Sequence, residues 1–242
     1  MKNGIKLILQ KLLGYRTYLF VFAKFKIRTL KNDKKEGDFF QFMSSISKEG
    51  HILDVGANIG IMTYHLAKKF PEISVYAIEP MPDNLSVLRR IISKYKLSNV
   101  KVKEVAVGNE NTVLEMVLPV NGKVKMQGLA HIVHDSIDEW NEGEKFKVES
   151  VKLDDLLKDI PIAGIKMDIE NFEYFALAGG KQLIEKNSPI IYLELWANEN
   201  RDKCFDFLES LNYKALVVEN EKLVDYDPNF HKKQNFIFKA KV

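Results

Sequence analysis

Ile52-Leu53-Asp54-Val55-Gly56-Ala57-Asn58-Ile59-Gly60 reads as an apolar strand that runs through a glycine turn into a helix. Gly56 and Gly60 let the backbone approach a ligand closely, and Asn58 between them suits a helix start. Outward from this stretch the pattern repeats. Strand-like runs fall at 75–79, 100–107, 162–169 and 190–196, and helical spacing fills 59–69, 83–95, 172–186 and 201–211. Strand alternating with helix predicts parallel βαβ units, hence a Rossmann-like α/β sheet with helices on both faces. Only 112–152 breaks the alternation. It reads as strands and loops inserted between the third and fourth core strands, where it would help shape a substrate site. The runs 215–218 and 235–239 suggest an antiparallel closing pair.

The chain has 242 residues, 46% hydrophobic and 29% charged, which suits one good-sized domain and excludes dominant disorder. Cys204 has no partner, so a disulfide scaffold is excluded and a reducing cytoplasm is the expected setting. The formal net charge is +3, yet residues 1–36 hold ten lysines and arginines against Asp33 and Glu36. The remaining body is therefore mildly acidic, which argues against nucleic acid as a partner. The N-terminal region lacks the ~20 apolar residues of a spanning helix and the uninterrupted core of a signal peptide. Its spacing predicts helices over 4–31, parted at Gly14, with Ile5, Ile8, Leu9 and Leu12 on one face and Leu19, Phe22 and Phe25 on another. A third helix is expected over 38–46, with Phe39, Phe42 and Met43 inward. Residues 1–49 thus form a basic helical cap and residues 50–242 the α/β domain. Two roles stand open for the cap: packing Leu19, Phe22 and Phe25 over the mouth of the core, which is preferred, or peripheral contact with an anionic membrane.

Two nucleotide-cofactor readings compete at the glycine turn. A dinucleotide site wants Gly-x-Gly-x-x-Gly, whose second glycine admits the pyrophosphate. Here Asn58 takes that place, and Asp54 would be poor company for a pyrophosphate. The same carboxylate suits the cationic amino-acid part of S-adenosylmethionine. Glu79 closes the second strand, where an acid can accept hydrogen bonds from both ribose hydroxyls.

Asp54-Val-Gly-Ala-Asn-Ile-Gly60, Glu79-Pro-Met-Pro-Asp-Asn84, and Ile165-Lys-Met-Asp-Ile-Glu170 with Glu173 resemble the signature runs of FkbM-type S-adenosylmethionine-dependent methyltransferases, over residues 50–240. The resemblance implies a class I methyltransferase fold: a seven-stranded, mostly parallel sheet whose last strand is antiparallel. It also implies O-methyl transfer to a hydroxyl of a sugar, glycan or secondary metabolite. Asp54, Gly56, Ala57, Asn58 and Gly60 would then cradle the methionine part, Glu79 would hold the ribose, and backbone around Ala106 would border the adenine. One departure stands out. The family usually has glycine after the residue matching Glu170, whereas this chain has Asn171, a residue that tolerates left-handed backbone angles.

Ligands of such sheets sit beyond the carboxyl ends of the strands. Asp168 and Glu170 end the fourth strand, Glu173 heads the next helix, and Glu194 lies near the end of the fifth strand. Carboxylates converging there are costly unless shared with cations, protons or a ligand; Lys166, alternating with Asp168, offsets part of the charge. A methyl donor carries its own activation, so the protein supplies alignment and, for a hydroxyl acceptor, a base. Asp168 is the candidate base, with Glu170 or Glu173 orienting the acceptor. His131 and His134 are the second choice, and a charge network that only fixes the turn is the plain alternative. The acid spacing matches no fixed metal loop, so no metal is expected. Trp140 and Trp196 are candidates for stacking on a sugar or for packing. Two other functions stand beside the methyltransferase: a non-catalytic cofactor-binding module in a glycan-assembly complex, and an NAD-dependent oxidoreductase, which the missing middle glycine disfavours.

Overall fold

In a computed structural model of the chain, which describes residues 2–47, 49–121, 124–134 and 140–241, three helices precede the first strand. These are α1 (Lys2–Leu13), α2 (Tyr15–Thr29) and α3 (Gly37–Ser45), with short 3₁₀ turns at Leu30–Asn32 and Lys34–Glu36. Gly14, at φ 73°, makes the left-handed break between α1 and α2. β1 (His51–Val55), α4 (Ile61–Lys69), β2 (Val75–Ile78), α5 (Pro82–Tyr95) and β3 (Val100–Lys103) then alternate as expected. β4 (Ala106–Val107) follows, and the insertion holds β5 (Thr112–Asn121), β6 (Val124–Lys125), β7 (His131–Ile132) and β8 (Gly143–Val151). After it come α6 (Leu153–Leu156), β9 (Ile162–Met167), α7 (Glu173–Ala178), α8 (Lys181–Asn187), β10 (Ile190–Glu194) and α9 (Glu199–Ser210). β11 (Tyr213–Glu219), β12 (Lys222–Asp225) and β13 (Asn235–Ala240) close the chain.

The main sheet runs β12-β11-β13-β10-β9-β1-β2-β3. β3, β2, β1, β9 and β10 are parallel, and β13 enters antiparallel between β10 and β11. Period-two alternation sends side chains to two layers. Ile52, Ile190 and Ile237 face Phe39, Phe42 and Leu66 on the α3–α4 side. Leu53, Ile165, Ile191 and Phe236 face Leu177, Ile184, Leu208 and the buried thiol of Cys204 on the other.

Four expectations need correction. The main sheet has eight strands rather than seven, because β12 folds back on β11 through a two-residue turn. That turn is Asn220-Glu221, both at positive φ, and it lacks the Asn-Gly that would have announced a hairpin. The third strand breaks after Lys103: β3 stays in the main sheet, while β4 leaves to pair with β8 in a second sheet. The helix expected over 172–186 splits into α7 and α8 at Gly179-Gly180, where a Cβ on Gly179 would strike the Gly108 carbonyl. Lastly, α2 buries Tyr18, Leu19, Ala23 and Ile27 against Ile59, Val87 and Ile91. Phe22 and Phe25, expected inside, are 37% and 60% exposed, because the buried stripe steps by four residues rather than three. Phe39, Phe42 and Met43 are buried as expected; the side chains of Ile5 and Ile8 lie outside those described. Among the described residues no helix is long and apolar enough to cross a membrane.

Candidate functional site

The carboxyl ends of β1, β2 and β9 surround a cleft of about 610 Å³, open to solvent, and the insertion supplies its far wall through Met116, Ala130 and Ile132. Of the residues singled out in the sequence, Gly56, Asn58, Glu79, Ala106, Asp168 and Glu170 line it. Gly56 sits at φ 73°, and a Cβ there would strike the Asp168 carbonyl, so glycine alone lets the ends of β1 and β9 close together. Gly60 serves a different purpose. At φ 82° it starts α4, and a Cβ would come 2.8 Å from Leu88 Cδ1, so it admits α5 rather than a ligand. Ala57 is buried against Ala77 and Leu88.

Glu79 organises the middle of the cleft. Its Oε1 accepts hydrogen bonds from the Met81 amide at 2.9 Å and Asn84 Nδ2 at 3.1 Å. Its Oε2 accepts one from the Asn58 amide at 2.8 Å. Burial pushes the carboxyl above its ordinary pKa, and these three donors pull it part of the way back. Oε2, with one donor, keeps acceptor capacity for a hydroxyl in the cleft. Asn58 Oδ1 is buried and has no partner, which leaves a second acceptor unused beside the turn.

Asp54 is turned inward. It is buried, its Oδ2 accepts from Thr63 Oγ1 at 2.6 Å, and its Oδ1 lies 3.4 Å from Lys166 Nζ. These two residues are paired in register across β1 and β9. Lys166 Nζ also donates to the Gly56 carbonyl at 3.0 Å and stands 3.8 Å from Asp168 Oδ2. Burial pushes the ammonium down, but Asp54, Asp168 and Glu194 outweigh it and leave the group above its ordinary pKa, hence charged. This buried lysine ties the glycine turn to the acid beside it.

Beyond Lys166 the acids crowd. Burial, then Asp168, Glu194 and Glu173, push Glu170 up; burial, then Asp168, push Glu194 up. Glu170 and Asn171 both adopt left-handed backbone, at φ 55° and 76°. Asn171 fills the place of the usual glycine and secures it: its Oδ1 accepts from Asn198 Nδ2 at 2.9 Å and its carbonyl from Asn200 Nδ2 at 3.2 Å. Glu173 faces backbone instead of the cleft. Its Oε1 accepts from the Ile169 amide at 2.8 Å, the Asn171 and Glu173 amides also favour its charged form, and burial pushes it up to about 8. Asp168, with its side chain 31% exposed, lines the cleft together with Glu170 and Glu79.

The histidines stand apart. His131 is buried, with Nδ1 2.8 Å from the Leu129 carbonyl and Nε2 3.1 Å from Asn141 Oδ1, while its neighbour Ile132 faces the cleft. His134 packs on the rings of Phe175 and Phe172. Neither histidine lines the cleft, nor do Trp140 and Trp196. Sequence reasoning missed Glu36. The Lys34–Glu36 turn brings it within electrostatic reach of Asp168 and Lys166, and burial pushes its carboxyl up. A signal was available, since Asp33 and Glu36 are the first acids after a basic stretch without any. Asn84 was also missed as the partner of Glu79. Among the described residues no group of three or more His, Cys, Asp or Glu is arranged to hold a metal ion.

A family model described as the methyltransferase FkbM domain matches residues 54–215, more than half of the chain. The chain is 25% identical over 146 residues to a curated protein named Methyltransferase 1 from Beauveria bassiana (strain ARSEF 2860), covering 54% of this chain and 58% of that protein. The crystal structure of methyltransferase FkbM from Methylobacillus flagellatus KT superposes with a TM-score of 0.57 at 18% identity, over 84% of this chain and 48% of that one. The chain thus spans about half the length of these relatives. The structural likeness shows that the class I methyltransferase fold is shared.

Proposed function

The chain belongs to the FkbM methyltransferase domain family, and from that premise we propose that it moves a methyl group from S-adenosylmethionine to a hydroxyl of a sugar, glycan or secondary metabolite. One observation carries the reading: Glu79 Oε2 and Asn58 Oδ1 keep unused acceptor capacity next to each other at the Gly56 turn, in residues that line the cleft. Acceptors so placed suit the hydroxyls of a ribose diol. Apolar side chains at Val105, Ala106 and Val107 line the cleft and suit a flat ring. When bound, S-adenosylmethionine supplies a methyl group already activated by its sulfonium.

The chain's own part is alignment and proton removal. Asp168, facing the cleft at the end of β9, takes the proton of the acceptor hydroxyl. Lys166 braces Asp168 from behind and fixes the Gly56 carbonyl, and Glu170 orients the acceptor. Glu173 holds the turn that presents them. S-adenosylmethionine or its demethylated product at 100-fold over Kd adds about 2.7 kcal/mol to folding stability, read as a raised Tm. Glu79→Gln keeps the side chain's shape and lessens that rise. Radiolabel from the methyl donor is then followed into fractionated glycans and metabolites. Stabilisation by NADH and not by the methyl donor would overturn the reading.

A further inference from the structure

Of the large apolar side chains that stand exposed among the described residues, two thirds lie on one helical pair: Leu9, Leu12 and Leu13 on α1, and Val21, Phe22 and Phe25 on α2. Leu12 is 76% exposed and Val21 49%. The inner stripe of α2, with Leu19, Ala23 and Ile27, is packed on α4 and α5, so the outer face belongs to a helix already held in place. Arg16, bonded to Asp83 at 2.6 Å, pins the start of α2 one residue from cleft-lining Asn84.

Cations edge this apolar ridge, and residues 1–32 contain no acid at all. Arg16 and Lys26 are spent on ion pairs with Asp83 and Asp33. Lys11, Lys24 and Arg28 make no ion pair among the described residues. A helix that sets apolar side chains between unpaired cations suits the boundary of an anionic bilayer. There the apolar groups enter below the headgroups while lysine and arginine stems reach back to the phosphates. Nucleic acid would satisfy the cations and leave the apolar ridge in water. A second copy would press two acid-free basic faces together. We propose that the outer face of α1 and α2 seats this protein peripherally on an anionic membrane surface. The seat is independent of the methyl-transfer reading.

Sedimentation of the full chain with phosphatidylcholine vesicles, with and without phosphatidylglycerol, tests it without any turnover. The protein pellets with the anionic vesicles at about 0.05 M salt and is released at about 0.5 M, where screening is strong. Phe22→Ser with Phe25→Ser, and separately Lys24→Glu with Arg28→Glu, each lower the partition coefficient by about tenfold. Phe22, Phe25 and Arg28 are exposed and Lys24 is half-buried beside Phe20, and an unchanged Tm shows that each variant is folded. Three results would overturn the proposal: no binding to anionic vesicles at low salt, full binding by the folded Phe22→Ser, Phe25→Ser variant, or displacement of the protein from vesicles by an equal phosphate concentration of RNA or duplex DNA.

Discussion

A carboxylate that accepts a proton from a hydroxyl must meet it, and Asp168 meets the cleft while Glu173 does not. Asp168→Asn preserves size and removes the base. Turnover on an identified acceptor falls by roughly 10²–10⁴-fold, with the Tm rise from the methyl donor retained. Near-normal turnover would remove Asp168 from that role. Glu173 acts on the fold instead. Burial raises its carboxyl from 4.5 to about 8, so between those values the folded state keeps a proton that the unfolded chain releases. The stability it adds is complete below pH 4.5 and is lost as pH rises to about 8. Each such group contributes a slope of up to about 1.4 kcal/mol per pH unit. Urea unfolding at several pH values shows the decline, and Glu173→Gln flattens it; an unaltered slope would contradict the assignment.

At the scale of the element, the turn after β9 decides whether Asp168 and Glu170 are presented at all. Asn171 holds φ 76° there and is tied to Asn198 and Asn200 at the start of α9. Asn171→Ala meets the left-handed penalty of about 1–2 kcal/mol and also loses the side-chain bond, about 0.5–1.5 kcal/mol more. Asn171→Gly escapes the first cost and keeps only the second. Urea midpoints therefore rank Asn171, then glycine, then alanine; equal midpoints for glycine and alanine would show that the backbone angle costs nothing. This turn was legible from one residue type, because asparagine is the side chain that best replaces glycine at positive φ. The central βαβ elements were legible for a similar reason: strand and helix periods are local. β4 was not. Its two residues leave the main sheet because β8, at the far end of the insertion, pairs with them, and no local period announces such a pairing. The break at Gly179-Gly180 was written in the sequence, but apolar spacing continued through it and outvoted the glycines.

Across the whole molecule, α2 joins the core through one face, and α3 joins it separately through Phe39, Phe42 and Met43. Leu19→Ala removes a buried side chain and lowers stability by about 2–5 kcal/mol. Phe25→Ala, on the outer face, changes it by less than about 0.5 kcal/mol. Comparable losses for both in urea unfolding would mean that the outer face is buried in solution. The basic charge of this segment was plain in the sequence, whereas its buried face was not, since spacings of three and four both fit so short an apolar pattern. Glu36 shows the same limit: its approach to Asp168 depends on how α2 lies across α4 and α5. Cys204 offers a practical return on this architecture. The chain's single thiol is sealed between α9 and the sheet, and burial holds it far above its ordinary pKa. Thiolates attack maleimides and thiol-specific nitroxide reagents, so the native protein presents these reagents no ready nucleophile. A cysteine introduced by Phe25→Cys is then the one position to carry a fluorophore or spin probe, and the immersion depth of α2 becomes readable against a silent background.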